Sequence, residues 1–418
     1  MKKLLLVISI LTAFSAVSLA KGDYGTPGEF LNWGAGARSL GMGKAFTGLA
    51  DDASAVYYNP AGLAQQNPYQ LSLMHVILYE DTMYDFAAAT VPFSGVGTFG
   101  LAYVRLGSSN FDGRSEIWEP TGSFEISNQA ILVSYARDVV GPLSAGISLK
   151  VIMESVFDKS GAGYGADLGL MFVPSEYVSF GLSVINLLPP AVKLDATTET
   201  FPMAIKFGIA GKFLGERIIP VIDVEKELSN KGLKFKLGLE VYPLNDLAIR
   251  AGMDETEITF GAGYRFLKNY KVDYSLSSQE LSQQLGLLGM THRISFTFMF
   301  GGFDVNVNAE PKIFSPVGTR KNTTLTIYAS TKYPITEWEL NIINEDDDVV
   351  RSYSGDENPP ASIIWDGKDD RGLPVSDGEY KCVMKVTDKN GKVIESGSEN
   401  VKISSALPLQ PGTIELEE

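Results

Sequence analysis

Apolar and polar residues alternate with a period of two through much of the chain between Pro68 and Phe300. Leu233, Phe235, Leu237, Leu239 and Val241 fall on one face of their segment, and Lys234, Lys236, Gly238 and Glu240 on the other. Ile294, Phe296, Phe298 and Phe300 likewise oppose Arg293, Ser295 and Thr297. Side chains alternate across a strand, so a wholly apolar face predicts strands with hydrocarbon or a core on one side. Fourteen such runs are predicted, at 70–80, 84–92, 97–106, 127–137, 143–154, 164–172, 178–187, 203–213, 218–224, 233–242, 247–253, 257–266, 270–276 and 293–300. Pro220 interrupts the ninth run and lacks an amide donor, which marks either a bulge or opening in a wall or a simple kink.

The connections decide between hydrocarbon and core. Tight links at 92–96, 138–142, 174–177, 214–217, 243–246 and 267–269 alternate with longer ones, such as 107–126, 188–202 and 277–291. Transmembrane barrels show this asymmetry, with short turns inside and long loops outside. Phe172, Tyr177, Phe213, Tyr242, Phe266 and Tyr270 sit beside the tight turns, where an interfacial aromatic girdle belongs. The expected fold is all-β, a barrel of about 14 antiparallel transmembrane strands spanning residues 67–303. A soluble all-β protein, with the aromatics as its core, is the competing reading.

Residues 1–20 read as a secretory signal: Lys2 and Lys3, an apolar run from Leu4 to Leu11, and a small-x-small site at Ser18-Leu19-Ala20. No later run is long and apolar enough for a spanning helix, so membrane residence would come through strands. Residues 21–66 lack the alternating pattern. Gly34, Gly36, Gly41 and Gly43 permit turns, Asp51 and Asp52 precede an Ala-rich helix-compatible run, and Asn59-Pro60-Ala61 punctuates its end. A folded insert that fills the barrel is expected here, because fourteen strands enclose a lumen wide enough to need a filler. Gly41-Met42-Gly43-Lys44 is no phosphate loop: Arg38 stands where a glycine, and Ala45 where Ser or Thr, would be required.

The stretch GARSLGMGKAFTGLADDASAVYYNPAGLA, from Gly36 to Ala64, resembles the N-terminal hatch signature of PorV/PorQ outer-membrane barrels, which are related to the long-chain fatty-acid transporter (FadL-like) family. The resemblance implies a hatch folded inside the barrel, shaped by Gly41, Gly43, Asp51, Asp52, Asn59, Pro60 and Ala61. It implies either passage of hydrophobic, fatty-acid-like compounds across the cell outer membrane or, in the PorV/PorQ branch, a docking role toward exported proteins in type IX secretion.

The chain changes character after Gly301-Gly302. A linker is expected at 304–308, an immunoglobulin-like β-sandwich at 309–405 and a solvated acidic tail at 406–418. Trp365 to Asp388, WDGKDDRGLPVSDGEYKCVMKVTD, resembles the immunoglobulin-like domain of the flagellar hook-capping protein. Such a module following the last strand would stand in the periplasm, available to a periplasmic protein or the cell wall, and it departs from transporters that end with the barrel.

Composition sharpens these readings. Gly 42, Tyr 18 and Phe 22 in 418 residues, with only 20% charged, suit strands and turns. A net charge of −15 excludes a nucleic-acid partner, whose phosphates demand a basic face. A single cysteine, Cys382, can form no internal disulfide. His75 and His292 are the only histidines and lie far apart in sequence, so no catalytic arrangement, cofactor or zinc site is indicated. Glu345-Asp346-Asp347-Asp348 and Asp366/Asp369/Asp370 have oxygen ligands suited to calcium, though hydrated acidic turns are the ordinary reading and no metal is expected. Two loops are unexpectedly apolar: Leu187, Leu188 and their neighbours, and Leu287, Leu288 and Met290 with theirs. Apolar loops either bind lipid, ligand or protein, or cover each other over the barrel mouth.

Overall fold

The computed structural model describes residues 26–78, 82–114, 118–229, 232–267, 269–279, 290–316, 321–389, 391 and 393–405. The signal segment 1–20 and the tail 406–418 lie outside the described residues. Fourteen strands close an antiparallel barrel: β1 (Tyr69–Ile77), β2 (Thr82–Phe93), β3 (Gly97–Arg114), β4 (Pro120–Val140), β5 (Leu143–Val156), β6 (Lys159–Ser175), β7 (Val178–Leu188), β10 (Ala204–Gly211), β11 (Ile218–Glu227), β12 (Lys234–Leu244), β13 (Leu247–Met253), β14 (Glu257–Phe266), β15 (Tyr270–Gln279) and β16 (Thr291–Phe300). A two-stranded hairpin, β8 (Ala191–Lys193) and β9 (Thr198–Thr200), lies between β7 and β10. Neighbouring strands follow chain order, and β1 pairs with β16 from Tyr69↔Phe300 to Val76↔Arg293 to seal the wall.

All fourteen predicted runs are barrel strands, and the period-two faces point as expected. Leu71, Leu73, Phe99, Leu101, Leu149, Phe207, Phe260 and Ile294 are exposed on the outside, while Ser72, Lys150, Glu240, Arg293 and Ser295 are buried within. Soluble monomers rarely expose contiguous apolar surface beyond a few hundred Å². An outward apolar belt around a closed wall is what a bilayer would cover, and it differs from the soluble alternative, in which the aromatics would form the core. Among the described residues no helix is long and apolar enough to cross a membrane.

Two sequence expectations are corrected in detail. The segment 107–126 is mostly paired strand, not open loop: β3 and β4 run 18 and 21 residues and pair out to Arg114↔Pro120. At roughly 3.4 Å per residue this hairpin projects well past its neighbours. Phe111 stacks on Phe124 at 5.3 Å and Phe124 meets Phe157 at 5.9 Å, so ring packing extends a polar-looking segment as a sheet. Tyr242 does not belong to the girdle. It continues the inward face of Lys236, Gly238 and Glu240 and lines a cavity inside the wall. The tight-turn end keeps the expected Phe266 and Tyr270, whose rings lie 5.4 Å apart, and adds the pair Phe93–Phe99 at 5.7 Å.

Beyond the barrel, β17 (Val305–Glu310), β19 (Thr323–Ala329) and β22 (Ser362–Trp365) form one sheet. β18 (Ile313–Phe314), β25 (Glu399–Ile403), β23 (Gly378–Asp388), β20 (Ile335–Ile343) and β21 (Val349–Asp356) form the facing one, with β24 (Val393–Glu395) on β23. The span 304–308, expected as a linker, falls largely within β17, so the sandwich starts almost where the barrel ends. Its core centres on Trp365, flanked edge-on by Phe314 and Tyr380 at 5.5 and 5.3 Å. The Trp365 indole N–H donates to the Lys368 carbonyl at 3.0 Å, so this large buried ring leaves no orphaned donor.

Candidate functional site

Residues 29–66 fold inside the barrel as short helical turns, at Glu29–Asn32, Ala37–Leu40, Ala55–Tyr58 and Pro60–Gln65. Asn59 sets the last of these. Its Oδ1 accepts from the Ala61 amide at 3.2 Å and caps the helix that Pro60 opens. Its Nδ2 donates to the carbonyls of Thr47 and of Leu170 in β6, both at 3.1 Å, tying the turn to the wall. Gly43 has φ 62 and its amide donates to Thr259 Oγ1 at 3.0 Å. Gly41 is in the ordinary helical region, φ −66; what it provides is close approach to the Gly261 backbone of β14. Ala61 is fully buried.

Asp51 and Asp52 serve the hatch electrostatically. Arg38 Nη1 lies 2.5 Å from Asp51 and 3.1 Å from Asp52, while Nη2 reaches Glu240 of β12 at 2.7 Å. Glu240 also takes Arg250 of β13 at 2.6 Å, and Arg250 pairs with Asp273 of β15 at 2.9 Å. A second chain runs from Lys44 to Asp254 and Glu257, at 2.8 and 3.0 Å, and from Glu257 to Arg293 at 2.9 Å. Asp223 of β11 accepts the amides of Phe46 and Thr47 at 2.9 and 2.7 Å. Buried charges are tolerated when paired and hydrogen-bonded, and Glu240, Asp254 and Glu257 meet both conditions. Asp273 is paired with Arg250, and Asp223 rests on two amides, but the Oδ1 of each has no hydrogen-bond partner among the described residues. The expected hatch residues therefore converge. Sequence reasoning missed their wall partners, whose only signal was charge on inward strand positions.

Glycines of the wall provide the clearance. A Cβ on Gly181 of β7 would overlap the Thr47 carbonyl, and one on Gly252 of β13 would overlap the Met42–Gly43 peptide. Backbone of the hatch thus rests on backbone of the barrel.

Beyond the hatch, toward the long-hairpin end, lies a cavity of about 650 Å³. Trp33, Tyr57, Leu106, Ile126, Val156 and Leu194 contribute apolar surface to it, and Lys44, Lys206, Lys236, Asp254, Glu257 and Arg293 contribute charge. Part of the charge on that side is paired, as Lys236 meets Glu225 at 2.5 Å and Lys206 meets it at 3.6 Å, while Glu154 and Glu199 add carboxylates to the same lining.

The loop residues separate. Leu187 and Leu188 are exposed at the end of β7, whereas Val192, in the same loop, is buried against glycines of β6. Met290 is exposed; Leu287 and Leu288 lie outside the described residues. The wall is continuous at Pro220. β11 pairs with β12 in unbroken register from Ile218 to Glu225, and the β10 ladder reaches Val221 and stops before Pro220, which therefore owes no donor on that side. His75 pairs with Asp85, and His292 with the Tyr274 hydroxyl, each at 2.6 Å; all four side chains are on the outer surface. Asp369 accepts the Arg371 and Leu373 amides at 3.0 and 2.8 Å, a carboxylate used to hold a turn.

The fold and site define a hatch-filled antiparallel barrel with an appended sandwich. Residues 315–390 match the family profile of the FlgD Ig-like domain, and residues 29–167 match an uncharacterised protein family, UPF0164. No curated protein matches the chain. Among solved structures, the toluene transporter TbuX of Ralstonia pickettii is similar at 15% identity and a TM-score of 0.46, over 64% of this chain and 99% of that one. The toluene transporter TodX of Pseudomonas putida aligns at 14% identity and 0.46, over 63% and 96%. A Pseudomonas aeruginosa FadL homologue aligns at 13% and 0.43, over 62% and 96%.

Proposed function

We propose that this protein resides in the outer membrane and takes part in passage of hydrophobic, fatty-acid-like compounds, with its long hairpins outside and the sandwich in the periplasm. The observation that carries this reading is the half-apolar chamber above a closed hatch, within a wall whose outer face is suited to lipid. A guest would shed water from its apolar body against Leu106, Ile126 and Val156, a gain of roughly 25 cal/mol per Å² buried. Exposed Leu187, Leu188 and Met290 are the proposed first contacts on the way in.

Tryptophan fluorescence of the detergent-extracted full chain, titrated with a dansylated long-chain fatty acid, tests this. Energy transfer to the dansyl group that saturates, and that weakens at least tenfold in I126D, supports the proposal; transfer that is absent, or untouched by I126D, refutes it. A second reading keeps the barrel as a docking component for exported protein, as in the PorV/PorQ branch of type IX secretion. The far-projecting β3–β4 hairpin, with Trp118 exposed near its tip and Phe157 of the β5–β6 turn exposed beside Phe124, favours it. Specific co-purification of an exported protein, lost when residues 108–124 are trimmed to a short turn, would support docking.

A further inference from the structure

The turn between β19 and β20 brings Lys332 of the sandwich into the tight-turn end of the barrel. Its side chain is 4% exposed. Lys332 Nζ donates to the Ala64 carbonyl of the hatch at 2.8 Å and to Thr98 Oγ1 of β3 at 2.9 Å. The main chain is held as well: the Lys332 carbonyl accepts the Gly95 amide at 2.7 Å and the Ser94 hydroxyl at 3.2 Å, both in the turn between β2 and β3. Tyr333 is buried alongside it, with the Lys389 ammonium 5.4 Å from its ring. Three parts of the chain, remote in sequence, thus meet at one ammonium.

Ala64 lies in the last turn of Pro60–Gln65, where helix carbonyls have no partner of their own. A cation there answers an acceptor that would otherwise be stranded, since Ala64 and Thr98 are both almost fully buried. An ammonium removed from water is costly unless its donors are used, so Lys332 has little reason to occupy this site except for the oxygens it finds.

We infer that the sandwich is a latch on the hatch: Lys332 pins the hatch's C-terminal turn to the barrel rim, so that lifting the sandwich loosens the hatch. Coupling of this kind is reciprocal. A periplasmic partner that binds the sandwich only when it is lifted must loosen the hatch, and displacement of the hatch must weaken the seat of the sandwich by the same factor. The inference does not depend on which compound occupies the chamber, or on whether any does.

Hydrogen exchange of the full-length protein in detergent tests it, comparing wild type with K332M, K332R and T98V. Amides within 61–66 are expected to exchange at least tenfold faster in K332M, several-fold faster in T98V and close to the wild-type rate in K332R, with 378–388 in the sandwich core unchanged throughout. Unaltered exchange of 61–66 in K332M with an intact sandwich core overturns the latch. If K332M also loses protection at 378–388, T98V decides: faster exchange at 61–66 upholds the latch, and a wild-type rate overturns it.

Discussion

Glu240 shows how much a single residue can hold here. It is fully buried and touches two guanidinium groups, Arg38 of the hatch and Arg250 of the wall. Glu240→Gln takes one carboxylate from each and leaves Arg38 with Asp51 and Asp52 and Arg250 with Asp273, so the expected cost lies below the roughly 3–5 kcal/mol of a buried charge left with no partner. The expected readout is a lower temperature for the heat-induced band shift in SDS, with Glu225→Gln milder because its lysines are less deeply buried. Gly252→Val makes a steric test of the same seat. With the Met42–Gly43 peptide lying where the side chain must go, overpacking of roughly 1–3 kcal/mol should fall on the hatch. Faster exchange at 40–48 is expected, and an unchanged rate would mean that the hatch is not seated against β13. Neither partner was legible in the sequence. Period-two reading places Glu240 and Gly238 on the polar face of their strand. It says nothing of which backbone lies opposite, because that contact spans about two hundred residues of sequence.

Elements were far more legible than their partners. Fourteen runs and the tight links between them follow from alternation and turn chemistry, which are local properties. The projecting hairpin is hidden in the sequence for the same reason: Ser108, Asp112 and Gly113 have weak strand propensity, and only cross-strand rings such as Phe111 and Phe124 reveal the pairing. The sandwich offers two element-scale checks. Burial, and then Glu399, push the Cys382 thiol up to about 12, so little thiolate forms near neutrality. Iodoacetamide should leave Cys382 unmodified at pH 8 in the folded protein and alkylate it fully in guanidinium. Asp369 and Asp377 behave oppositely. The Leu373 amide holds the Asp369 carboxyl below its ordinary value, and the Ser405 hydroxyl does so for Asp377. Depressed carboxylates add stability above their unfolded pKa and lose it as pH falls through the folded one. Exchange at 366–388 in the full chain should therefore accelerate, relative to intrinsic rates, as pH drops from 5 toward about 3. A flat profile would remove these turns from the stability of the sandwich.

At the scale of the whole molecule, the outer belt makes the plainest prediction: the protein partitions with outer membranes and stays insoluble without detergent. A soluble, monodisperse extract would contradict both the lipid-facing wall and the proposed transport. The exterior departs from that of a water-soluble protein, with hydrocarbon-compatible residues outside, while the interior holds charge networks beside an apolar core that includes Leu40, Met42, Phe46 and Leu63.

The seam between β1 and β16 carries a consequence for biogenesis. The hatch ends at Gln66, only a few residues before β1, and β1 can find its partner only when the last barrel strand has arrived. Phe303 then donates its amide to the Asn67 carbonyl at 3.0 Å, fastening the exit of the barrel to its entrance. The first folded segment is thus enclosed by the last ones, as cargo is when a hoop is riveted around it. A chain shortened before Thr291 should neither close nor retain its contents, and a pause in assembly just short of that point would leave the hatch open to protease.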